Sequence, residues 1–254
     1  MYSGQYAKQN PDRPAFIMAS TGEEVSYREF EARSNRLAHL FRDHGLARLD
    51  HYSIFMENNN RYLECCAAGE RSGLYYTCIN HYLKADELGY ILDNSESKIL
   101  IVSKAKLEVA SAALEGTKGV SLCLVIGAEQ EELPTPTRSD LKYELFETAT
   151  SNLSAAPIDD EALGTSMLYS LGTTGQPKGI LRPLPDNPPA EALPMYEFLI
   201  GLWRYREDMT YLSPAPLYHS APQAAVGLTL RMGCLLYTSP SPRDATLSRM
   251  PSSA

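Results

Sequence analysis

Two uninterrupted apolar runs, ILIV at residues 99–102 and LCLVI at 122–126, stand either side of an amphipathic stretch at 105–115. A strand that is apolar at every position suits a sheet covered on both faces, which is the situation of a parallel sheet. Strand, helix and strand in that order form a βαβ unit. The alternation extends towards the N-terminus. Over 27–44, Tyr27, Phe30, Leu37 and Phe41 share one helical face with Leu40 beside them, and Gly45 ends the helix. Residues 53–56 read as a strand. The Asn58-Asn59-Asn60 run breaks it and can cap a helix over 61–72, closed by Gly73. Residues 74–79 read as a strand and 86–92 as a helix with Leu88, Ile91 and Leu92 on one side. The expectation is a doubly wound α/β fold, a parallel-rich sheet with flanking helices.

Residues 128–163 change character. They are acidic and proline-containing, hence an exposed connector, with a short helix at 141–146. Asp159-Asp160-Glu161 reads as a solvated turn. Beyond it come a strand at 167–169, a proline-rich loop at 183–189, a helix over 195–204 and a strand near 210–212.

Composition now narrows the function. The 254 residues carry 23 Lys and Arg against 31 Asp and Glu, a net charge of −8. Such a surface speaks against a partner made of nucleic acid, whose phosphates need cations. The five cysteines (Cys65, Cys66, Cys78, Cys123, Cys234) are odd in number and lack zinc-type spacing. They read as reduced packing thiols of a cytoplasmic protein. No apolar run reaches transmembrane length, and the first residues lack a signal-peptide core. His39, His44, His51 and His81 are scattered and read as structural or solvated.

The segment richest in chemistry is YSLGTTGQPKGI at 169–180. Glycines let the backbone turn its N–H groups towards an anion. Hydroxyls add donors, and a lysine adds a point charge. The spacing is not that of a Walker A loop. Read alone, the stretch fits either a phosphate-holding loop or a surface glycine turn with a solvated lysine.

Its wording resembles the signature loop of the adenylate-forming enzymes, which include acyl-CoA synthetases, luciferases and peptide-synthetase adenylation domains. VSYREF at 25–30, IFMENN at 54–59, GLYYTCIN at 73–80 and LSPAPLYHSAP at 212–222 resemble other family segments, in family order. The resemblance covers roughly residues 5–233 and is nearest to acyl-CoA synthetases (AMP-binding superfamily). It implies an incomplete N-terminal domain of that fold. It also implies that Ser170, Gly172, Thr173, Thr174, Gly175 and Lys178 hold ATP phosphates, and that His219 sits beside the carboxylate to be activated. The implied partner is a small-molecule carboxylic acid. ATP, Mg²⁺ and coenzyme A take part, giving an acyl-adenylate and then an acyl-CoA. Coenzyme A would bind largely to a C-terminal region not present. Leu171 departs from the family pattern, which has a small hydroxyl residue or glycine there. An adenylating enzyme with a carrier-protein acceptor, or a non-catalytic nucleotide-binding chain, are the alternatives.

Residues 234–254, CLLYTSPSPRDATLSRMPSSA, read differently. Residues 234–244 and 248–254 match, in one frame, two fixed segments of a transposase-type sequencing adapter, with a barcode's length between them. The expectation is a non-native tail without fixed structure, and a catalytically inactive chain fused to it.

Overall fold

The computed structural model describes residues 1–170, 177–191 and 193–238. In chain order the first elements are α1 (Gly4–Gln9), β1 (Pro14–Met18), β2 (Glu24–Ser26), α2 (Tyr27–Asp43), β3 (His51–Phe55), α3 (Tyr62–Arg71) and β4 (Tyr75–Cys78). Next come α4 (Ala85–Asn94), β5 (Ser97–Ser103), α5 (Leu107–Gly116), β6 (Leu122–Ile126), β7 (Lys142–Leu145) and α6 (Phe146–Ser151). The last are β8 (Thr165–Ser166), β9 (Leu168–Ser170), β10 (Lys178–Ile180), α7 (Pro194–Leu202), β11 (Thr210–Ser213), α8 (Ser220–Arg231) and β12 (Leu235–Thr238).

The centre is a six-stranded sheet in the order β7-β6-β5-β3-β4-β8, parallel throughout. The alternation along each strand divides its side chains between two cores. Leu122, Leu124 and Ile126 of β6 join Phe30, Leu37 and Phe41 of α2 on one face. Cys123 and Val125 join Leu88, Ile91 and Leu92 of α4 and Leu114 of α5 on the other. The continuous apolar runs are thus strands buried on both faces, and the α/β expectation holds. A second sheet, β11-β12-β1-β2, shares the first core through Phe16, Val25 and Leu236. β9 and β10 form an antiparallel hairpin of their own.

Local chemistry accounts for the boundaries. Ser26 caps α2 by accepting from the Glu29 backbone N–H. Gly73 takes φ +66°, the left-handed conformation that lets the chain turn from α3 into β4. The asparagine run does not cap α3 directly. Arg61 is the N-cap, and Asn59 Oδ1 accepts from its backbone N–H at 2.9 Å. The helix expected at 141–146 is instead β7 followed by α6. The backbone of Lys142–Leu145 extends β6 as a parallel edge strand, with Lys142 opposite Leu122. Pairing with an open sheet edge overrides the local helical reading.

The turn at 159–161 is more than solvated. Arg42 Nε donates to both Asp160 carboxylate oxygens at 3.0–3.1 Å. Glu161 belongs to a buried charge cluster around Arg71, which is 1% exposed. Arg71 grips Glu31 with two bonds of 2.6 and 2.8 Å, donates to Asn35 Oδ1 and reaches Glu161 at 3.4 Å. Burial alone would raise Glu31, but Arg71, Ser3 and Asn35 outweigh it and hold the carboxyl below its usual range. The cluster ties α2, α3 and the connector together.

Glu64, 1% exposed on α3, has the opposite balance. Burial pushes its carboxyl up to about 7 despite Arg61 and Arg33 nearby. The native chain therefore keeps a proton there that the unfolded chain releases near 4.5. That contribution to stability is complete below the unfolded value and is lost as pH rises through about 7. Glu64→Gln is expected to gain about 2–3 kcal/mol relative to the parent between pH 4.5 and 8, read from urea unfolding at both pH values. A pH-independent difference would contradict this assignment.

The end of the described chain departs from expectation. Residues 235–238 are an ordered strand. β12 runs parallel to both β1 and β11, pairing Leu236 with Phe16 and Tyr211, and Leu236 is fully buried. LLYT is apolar and β-forming, and it fills the slot between two strands that would otherwise each present an unpaired edge. Residues 239–254 lie outside the described residues.

Candidate functional site

The geometry of the site begins with a clamp. Asn58 follows β3, is 3% exposed, and uses both ends of its amide on the segment between β11 and α8. Its Nδ2 donates to Ala215 O at 3.0 Å, and its Oδ1 accepts from Leu217 N–H at 2.9 Å. Leu217 is itself buried, at 1% exposure. This fixes the approach to His219, the N-cap of α8, whose carbonyl accepts from Gln223 N–H at 3.1 Å. The His219 side chain is exposed. A row of rings runs into it. Tyr82 lies 4.2 Å from His81, His81 meets Tyr218 edge-on at 5.4 Å, and Tyr218 lies 4.3 Å from His219. His81 is buried and packs against Tyr218, the ring that in turn neighbours His219.

The signature segment is carried by the β9–β10 hairpin. Ser170 and Lys178 sit opposite each other in the register, so the two ends of the intervening loop are held together. Lys178 is exposed. Gly172, Thr173, Thr174 and Gly175, with Leu171, lie outside the described residues. Gly179 packs closely against side chains of the neighbouring strand. A methyl group there would collide with Met167 Cε and come within 3.1 Å of the Tyr169 ring. The hairpin is anchored at both sides. Tyr169 OH donates to Asn94 Oδ1 at 2.7 Å, and Tyr75 OH donates to Arg182 O at 2.6 Å.

A cavity of about 350 Å³ joins the two parts. Ser220, Gln223, Gly227 and Arg231 line it from one face of α8, starting directly after His219. Leu168 of β9 lines another side, and Leu199 of α7 with Trp203 just after that helix supplies an apolar wall. Its charged end holds Glu70 and Arg231. Burial would raise Glu70, but the Met1 amino group and Arg231 outweigh it and hold the carboxyl below its usual range. Tyr76 OH donates to Glu70 Oε1 at 3.1 Å. The arrangement can house a small molecule that is mostly apolar.

Periodicity does not announce α8. Its sequence, SAPQAAVGLTLR, is mostly apolar or small, because one side packs into the core and another lines a cavity. Asn58 was legible only as a strand breaker and a candidate helix cap. Its clamp joins positions 159 residues apart in the chain, for which no local signal exists. Among the described residues no group of three or more His, Cys, Asp or Glu could hold a metal ion. Among them, too, no helix is long and apolar enough to cross a membrane.

Comparison with known proteins agrees with this geometry. A family model described as "AMP-binding enzyme" matches residues 4–250, past the Gly233 limit of the sequence resemblance. A 3-oxocholest-4-en-26-oate–CoA ligase of Rhodococcus rhodochrous is 30% identical over 171 residues, 67% of this chain and 30% of that protein. Long-chain fatty acid transport protein 1 of Homo sapiens is 28% identical over 235 residues, 91% of this chain and 34% of that protein. The chain thus spans about a third of the length of these curated relatives. A solved anthranilate CoA ligase in complex with anthranoyl-AMP superposes with a TM-score of 0.75 at 18% identity, over 94% of this chain and 43% of that one. That likeness concerns the fold.

Proposed function

Because the chain belongs to the AMP-binding enzyme family, we propose that it is the N-terminal part of an ATP-dependent carboxylic acid–CoA ligase. The observation that carries this reading is the Ser170–Lys178 strand pair that flanks the glycine- and threonine-rich sequence, with Leu168 of the same hairpin lining the α8 cavity. In this reading Ser170, Gly172, Thr173, Thr174, Gly175 and Lys178 hold the phosphates of ATP. Their donors and the lysine charge offset the negative charge that gathers during attack. His219, next in sequence to the cavity-lining Ser220, orients the substrate carboxylate in this reading, while the acyl part lies against α7. A carboxylate oxygen attacks the α-phosphorus, pyrophosphate leaves, and the thiol of coenzyme A then displaces AMP.

The described residues gather no donor set suited to Mg²⁺, so none of these steps is assigned to it. The names of the relatives favour fatty or other apolar carboxylic acids as substrates. The cytoplasm remains the proposed setting. The adapter-like wording of residues 234–254 belongs to the same reading, in which the strand Leu235–Thr238 occupies the place of a natural one.

Lys178 provides the test. In the complete ligase, Lys178→Ala is expected to lower carboxylate-dependent ATP–pyrophosphate exchange about a hundredfold. An unchanged rate would remove Lys178 from the phosphate site.

A further inference from the structure

Cys78 is the last residue of β4, half-buried, and its sulfur lies 3.7 Å from that of Cys66 on α3. The other three cysteines are buried. Gln223 Nε2, from the first turns of α8, donates to Cys78 Sγ at 2.8 Å. We propose that Cys66 and Cys78 form a hydroperoxide-sensitive thiol pair whose oxidation to a disulfide acts on α8, the helix capped by His219.

The two sulfurs have different roles. Cys78 is the more accessible, and its sulfur accepts the Gln223 N–H. Cys66 is fully buried, and burial pushes its thiol well above the usual range, so it is the later of the two to react. In the first step the Cys78 thiolate attacks the terminal oxygen of a hydroperoxide. A sulfur–oxygen bond forms, the oxygen–oxygen bond breaks, and the alkoxide leaves to be protonated as an alcohol (water, for hydrogen peroxide). In the second step Cys66 loses its proton and attacks the Cys78 sulfur. The disulfide forms, the sulfur–oxygen bond breaks, and hydroxide leaves with that proton as water. Two thiols are oxidised by two electrons and one hydroperoxide is reduced.

Geometry supplies the consequence. Drawing the sulfurs from 3.7 Å to a bonding distance of about 2 Å engages Cys78 towards α3. The Gln223 amide then loses its acceptor, and α8 loses its tie to β4. Neighbouring Cys65 is not the partner. Adjacent helical residues point apart, and a vicinal disulfide does not fit the helix.

The experiment treats the purified 254-residue chain with equimolar hydrogen peroxide, blocks remaining thiols with iodoacetamide and maps peptides without reduction. The expected result is loss of the mass of two hydrogens, a dithiothreitol-reversible Cys66–Cys78 peptide, and faster hydrogen exchange along α8. Cys66→Ser is expected to stop at a sulfenic acid on Cys78 that dimedone captures. Full alkylation of both thiols after peroxide, or prior oxidation of Cys65 or Cys123, would overturn the pair. A cross-link that leaves α8 exchange unchanged would overturn its action on the helix.

Discussion

Arg71→Ala is expected to cost about 3–5 kcal/mol of folding stability, the scale for removing one partner from a buried ion pair. The side chain is 1% exposed and is shared by Glu31, Asn35 and Glu161. Without it, Glu31 and Glu161 keep their burial but lose the cation that compensates it. Both then take up protons at higher pH, so the loss is larger at neutral than at acid pH. Urea unfolding of the parent and variant at pH 5 and pH 7.5 measures both effects. The account also requires a contrast. Replacing Arg71, Glu31 and Glu161 together with apolar residues of similar size should cost less than the single change, because no charge is left stranded. A loss below about 1 kcal/mol for Arg71→Ala would place the cluster among weak surface pairs.

The second large effect concerns Asn58. Asn58→Ala removes the partners of Leu217 N–H and Ala215 C=O, and orphaning two such groups costs about 2–4 kcal/mol. The loss is local as well as global. Amide exchange at Leu217 should speed up more than exchange in β5 or β6, because the 214–219 segment is released from β3. Asn58→Asp separates the two bonds. It keeps the acceptor for Leu217 and places a second acceptor against Ala215 O, so about half the stability should remain lost. Wild-type protection of Leu217 in the alanine variant would refute the clamp.

These two residues also mark where the sequence stops being informative. The central sheet was legible because its signal is local. ILIV and LCLVI declare strands buried on both faces, and the face of α2 bearing Phe30, Leu37 and Phe41 declares a buried helix. The same locality failed at 141–146, where the edge of β6 decides the conformation, and at 235–238, where the gap between β1 and β11 does. Of the hairpin around the signature segment only its first strand, expected at 167–169, was legible; the pairing of Ser170 with Lys178 was not. The Arg71 cluster could not be read, because charges in a helix look solvated until the fold brings their partners from 31, 35 and 161. His219 was singled out by its neighbours in sequence, whereas the Asn58 clamp and the His81–Tyr218 contact arise only from folding.

The central claim is that this chain belongs to a ligase that activates a carboxylate by adenylation. Its most direct test is a product measurement on the complete reading frame, recovered by long-read sequencing across the Gly233 codon. With ATP, a fatty acid and coenzyme A, the predicted result is acyl-CoA, AMP and pyrophosphate in equal amounts, with pyrophosphate exchange already present before coenzyme A is added. Formation of ADP and phosphate, or ATP turnover that ignores the carboxylic acid, would contradict it.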